Sequence, residues 1–167
     1  MEIVRVNDTI LELRSIDPFF AELLRQIPDE TDPRDDTIAT ERLFSRPVED
    51  PTDEVNEEWK EYVEPELRHL FESATETVAG DLKALKGNDN EFSMQIPVKH
   101  LPHWLNTLNQ ARLSLAMRNR FTDEELSAEF STVINSRRDM HLLQIHIYGF
   151  LQEMFIRELE LPGSAMT

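Results

Sequence analysis

The chain has 167 residues, 40% hydrophobic and 30% charged, with no cysteine and a formal net charge of −16 at pH 7. That length and composition suit one well-filled globular domain, and the charge opposes phosphate backbones and anionic lipid surfaces. The lack of cysteine excludes disulfides, thiolate metal sites and a cysteine nucleophile.

Residues 2–6 and 10–14 read as two strands around Asn7-Asp8, residue types that tolerate the positive φ of a tight hairpin turn. Asp17 and Pro18 suit the cap and first position of a helix. Its stripe is Phe20, Leu23, Leu24 and Ile27, and Pro28 is its expected end. Residues 29–58 then hold twelve acids against Arg34, Arg42 and Arg46, a net −9 of the −16. Pro33, Pro47 and Pro51 forbid one continuous helix there, and Ile38, Leu43 and Phe44 predict a short one near 36–45.

A long helical pattern begins at Asp53, with Val55, Trp59, Tyr62 and Val63 on one face. Pro65 should kink or restart it, and Leu67, Leu70, Phe71, Ala74, Val78, Leu82 and Leu85 carry it on. Gly87-Asn88-Asp89-Asn90 is the expected stop. Phe92, Met94 and Ile96 alternate with polar residues, as in a strand able to join the hairpin. A helix is expected from about 102 to 120. Thr122 and Glu125 form a capping box that opens a short helix to about Phe130. The last helix, about 136–160, carries a wide apolar face that predicts a central, heavily buried element, ended by Pro162-Gly163-Ser164. The expected fold is mainly α. It is a helical bundle in one domain, 1–167, with a small N-terminal β-hairpin that residues 92–96 can extend to three strands.

Candidate chemistry is sparse. Glu66 and His69 have the Glu-x-x-His spacing of di-iron bundles, but no second copy exists. His100 and His103 lie three apart without an evident third ligand. His141 and His146 do not share a helix face, and His146 falls among apolar residues. The four glycines are isolated, so no phosphate-cradling loop or nucleophile elbow is present. No metal and no cofactor are expected. The most specified segment is Trp104 to Leu115, where Asn106, Asn109 and Arg112 repeat at three-residue spacing beside a leucine stripe. Asparagine is a poor helix former, so the ridge asks for a role. The two readings are a hydrogen-bonded network pinning nearby backbone, and a recognition surface in which Arg112 grips a carboxylate.

Trp104-Leu105, Asn109, Arg112-Leu113, Leu115 and Arg118, with Tyr148 and Leu151-Gln152-Glu153, resemble the signature of an uncharacterised bacterial family. The family is a domain of unknown function, numbered twenty-seventeen, and is mostly actinobacterial. Where it carries a glycine-containing segment, this chain has Ala116-Met117. The resemblance implies a helical cytoplasmic protein, a gene often beside the adaptor of the Clp protease, and no assigned catalytic residue.

The N-terminus, Met1 to Arg5, lacks a signal-peptide pattern, which with the missing cysteines predicts a cytoplasmic protein. The expected function is a non-catalytic interaction or regulatory protein linked to Clp-type proteolysis. Its expected partner is a protein with a basic surface, met by Asp29, Asp32, Asp35 and Asp36, with Trp104, Asn106, Asn109 and Arg112 as a second candidate surface. Nucleic acid and membrane are not expected. The alternative is a metal- or small-molecule-binding enzyme using the His69, His100 and His103 neighbourhood.

Overall fold

A computed structural model of the chain describes residues 1–129 and 133–161. Two strands, β1 (Glu2–Asn7) and β2 (Ile10–Ile16), form the expected hairpin. Its turn does not use positive φ at Asn7 or Asp8. Instead the Asn7 side chain accepts hydrogen bonds from the Thr9 backbone N–H and hydroxyl, both at 2.8 Å. The non-glycine residues at positive φ among those described are Ser15, Arg34 and Arg120.

Helix α1 (Pro18–Glu30) starts as the sequence indicates, with Asp17 accepting from the Phe20 N–H at 2.9 Å. Pro28 does not end it; it sits in the final turn and the helix runs on to Glu30. The short helix of the crossover is α2 (Thr37–Leu43), capped by Asp36. Then come α3 (Glu54–Glu58), one π-helical turn at Trp59–Val63, and α4 (Glu64–Leu82), so Pro65 opens a helix after a wide turn.

The stop after α4 differs from expectation. The helix closes at Lys83, and Lys86–Gly87 form a short strand, β3, against β4 (Phe92–Pro97). A Cβ at Gly87 would collide with the Glu91 carbonyl oxygen, so this close strand approach needs glycine. The sheet is therefore four-stranded and antiparallel, in the order β1-β2-β4-β3, rather than a hairpin or three strands. The molecule is mainly helical, but it is a helix-and-sheet mixture and not a pure bundle.

A 3-10 turn at Val98–His100 leads into α5 (Leu101–Arg118). Helix α6 (Asp123–Ser127) has the reciprocal capping box of Thr122 and Glu125. Helix α7 (Arg137–Glu160) is capped by Ser136. Helix α6 ends at Ser127, where Ala128 turns extended, short of the expected end near Phe130; Phe130 itself and the stop at Pro162-Gly163-Ser164 lie outside the described residues.

Helix α5, not α7, is the hub: it packs against α1, α2, α4 and α7. Its Trp104, Leu108 and Leu115 are fully buried with Leu11, Leu13, Met94 and Ile96 of the sheet, and Tyr148, Leu151 and Phe155 of α7. Helix α7 has more apolar residues than one face can bury, and Phe150 and Ile156 remain exposed.

Candidate functional site

The crossover is tied down at several points. Ser114 Oγ donates to the Asp32 carbonyl at 2.9 Å, joining α5 to the loop before α2. Asp36 accepts from the Ala39 N–H at 2.9 Å and pairs with Arg120 at 2.9 Å. The amide, then the guanidinium, hold its carboxyl below the ordinary range. Phe44 lies under the Arg68 guanidinium at 3.7 Å and tilts against Phe71 at 5.6 Å. Asn56 is buried and gathers the loop: its Nδ2 donates to the carbonyls of Val48 (2.8 Å) and Asp50 (2.6 Å), and its Oδ1 accepts from the Val48 N–H (3.1 Å).

Leu43 and Phe44 thus face inward, and of the crossover's apolar trio Ile38 is the one left exposed. Of the acids the sequence nominates, Asp29, Asp32 and Asp35 are exposed, while Asp36 is a structural cap. Asp32 is locally engaged, accepting from the Arg34 N–H at 2.7 Å. Across the crossover Asp29, Asp32, Asp35, Glu41, Glu49, Asp50, Glu54, Glu57 and Glu58 are exposed, and none forms an ion pair among the described residues. Glu30 is different: it is buried and paired with Arg118.

The ridge on α5 does not form one surface. Trp104 is fully buried; its ring packs edge-on to Phe155 at 5.7 Å and its Nε1–H donates to Asp81 at 2.8 Å. Asn109 is exposed. Asn106 accepts from Gln110 at 2.7 Å, a bond to the next turn of its own helix. Only Arg112 behaves as a packed polar group, and its partner is neither loop backbone nor an acid. Its Nη1 donates to Gln152 Oε1 at 2.6 Å, and Gln152 Nε2 donates to the Leu105 carbonyl at 3.1 Å, which laces α5 to α7. Burial lowers the Arg112 pKa, and its Nε is buried with no partner.

The histidines are dispersed. His69 is exposed on α4. His100 meets Asp81 through Nδ1 at 3.0 Å, and His103 is its ring neighbour at 6.4 Å. Since Asp81 lies twelve residues beyond His69, the helix separates them by about 18 Å. His69 therefore does not join His100 and His103. Among the described residues no group of three or more His, Asp or Glu side chains is placed to hold a metal.

One surface escaped the sequence reading. Phe19 and Phe20 of α1, with Leu143, His146, Ile147 and Phe150 of α7, line an apolar groove. Phe19 and Phe150 are 43% and 53% exposed, too open to belong to the core. The available signal was Phe150, which sits off the arc of Tyr148, Leu151 and Phe155.

Residues 6–159 match the family described as "Domain of unknown function (DUF2017)". The chain belongs to the DUF2017 family. That match covers β2 to β4, the crossover and the helices up to all but the last residue of α7, and takes in only Val6 and Asn7 of β1. No curated protein and no solved structure matches the chain. Among the described residues no helix is long and apolar enough to cross a membrane.

Proposed function

We propose that this DUF2017 protein is a non-catalytic, cytoplasmic interaction protein that engages a basic protein surface through its acidic crossover. The observation that carries this reading is the set of nine exposed carboxylates, Asp29 to Glu58, without an ion-pair partner on a crossover pinned to α4 and α5. A held segment presents its charges in fixed places, so the local field is strong where the partner arrives. The family resemblance nominates a component of the Clp proteolytic system as that partner.

The experiment is a binding-kinetics measurement with purified Clp adaptor and Clp ATPase as probes. Association should slow at least tenfold (roughly, by electrostatic steering) between low and high salt. Replacing Asp29, Asp35, Glu41 and Glu57 by their amides should slow it at low salt without lowering the melting temperature, because these exposed side chains form no ion pair among the described residues. An association rate indifferent to both salt and these four changes would sink the reading.

A further inference from the structure

We infer that the apolar groove between α1 and α7 is where a second copy of this chain docks, the two α7 helices lying antiparallel about a two-fold axis level with Tyr148. Along one side α7 carries Asp139, Leu143, His146, Phe150, Glu153 and Arg157, of which Phe150, Glu153 and Arg157 are exposed, Asp139 and His146 half-buried, and Leu143 buried against the core. The intervals are four, three, four, three and four residues, the spacing of a seam between paired helices. That spacing reads the same in both directions. An antiparallel copy therefore sets His146 against Phe150 and Asp139 against Arg157, each twice, while Glu153 passes over the buried Leu143 at the rim.

Charge decides the orientation. In the antiparallel pair Arg157 meets Asp139 of the other chain while keeping its own Glu153, 2.5 Å away in the same helix. Asp139 is half-buried and accepts from the Asn135 N–H at 3.0 Å through Oδ2, but it has no ion-pair partner among the described residues, and Arg157 is well exposed. A parallel pair would instead align Asp139, Glu153 and Arg157 with their own copies, which is repulsive at all three levels. At the centre, each Phe150 enters the other chain's groove beside Phe19 and His146, covering the apolar area that the monomer leaves in water. The arrangement is isologous, so it closes at two copies. It also brings two chains of charge −16 together on a seam that carries two acids and one base, away from the acidic crossover.

The test is sedimentation of the full chain over a wide concentration range. Twice 19.5 kDa is expected at high concentration, with dimerisation persisting in high salt. Phe150→Asp should weaken the dimer at least about tenfold while leaving the melting temperature intact, and Ile156→Asp, on the other exposed side of α7, should not weaken it. Arg157→Asp should weaken dimerisation, and adding Asp139→Lys should restore it, a rescue that only antiparallel pairing gives. A monomer at every concentration overturns the inference, as does a dimer indifferent to Phe150→Asp. A dimer weakened by Phe150→Asp but not rescued by the charge exchange overturns the antiparallel seam. Salt separates this contact from the crossover's: high salt should dissociate the basic partner and spare the dimer.

Discussion

Gly149 of α7 lies directly beneath Arg112 of α5: a Cβ built on Gly149 would come within 3.2 Å of the guanidinium carbon and Nη2. The missing methyl lets an arginine lie between two packed helices and reach Gln152. Gly149→Ala should therefore combine two opposed effects. It gains about 1 kcal/mol of helix propensity and displaces a hydrogen bond worth about 1 kcal/mol, so the net change is small. In an Arg112→Ala background only the gain remains. A double-mutant cycle by urea unfolding should show a coupling of about 1 kcal/mol; strictly additive changes would show that the two residues do not constrain each other.

Asp81 holds two groups of α5 and its approach, the Trp104 indole N–H and His100 Nδ1. Asp81→Leu leaves a fully buried indole donor without an acceptor. The expected loss is about 1–3 kcal/mol, read from chemical unfolding, with a shift in the tryptophan emission. His100→Ala should cost less, since His100 is partly exposed. Equal losses would place the energy in the histidine contact instead.

Glu30 and Arg118 are a buried pair, each side chain 11% exposed. Arg118→Met leaves the buried Glu30 carboxylate with only the 4.0 Å contact to the exposed Arg34 and should cost up to roughly 3–5 kcal/mol, whereas Glu30→Leu with Arg118→Met should recover most of that loss. A double variant as unstable as the single one would mean that the pair supports α1 and α5 through more than mutual neutralisation.

Stability should fall on acidification in two stages. Burial, the largest influence, lowers the His141 pKa below its ordinary 6.5, so the unfolded chain binds that proton more readily. The His141 contribution is complete above pH 6.5 and is lost as pH falls through the folded value. Glu125, held low first by Arg138, and Asp36, held low first by the Ala39 N–H, follow the same sign below their ordinary 4.5 and 3.8. Urea midpoints against pH should therefore drop first below about 6.5 and again below about 4.5. His141→Asn should remove the first drop alone; if it leaves that drop in place, another group titrates there.

Local signals were legible in the sequence where one residue's chemistry decides the outcome. Asp17-Pro18, the Thr122–Glu125 box and the alternation at Met94 and Ile96 each specify a cap or a strand without reference to the rest of the chain. Three things were not legible, because tertiary contact sets them. Gly87 reads as a helix stop, yet its glycine serves strand approach to Glu91 and Phe92. Trp104 reads as part of a candidate binding surface, but it is buried, and its acceptor Asp81 is 23 residues away. The wide apolar face of α7 predicts burial, whereas α5 takes the centre by burying Thr107, Gln110 and Ser114 among its leucines. The crossover acids read as one group, and only the fold divides Glu30 and Asp36, which hold the structure, from those facing water.

The π turn at Trp59–Val63 gives the helix one residue more than an α turn would hold at that point. Every residue upstream is therefore rotated by about 100° relative to an uninterrupted helix. Asn56 is the residue that this rotation aims at Val48 and Asp50. Deleting any one residue of 59–63 would let the ladder close as ordinary α-helix, swing Asn56 away and release the loop it gathers, although no contact residue had changed. Adding a second residue there would overshoot in the other sense. Over this stretch the chain tolerates exchange of exposed side chains far better than any change in their number.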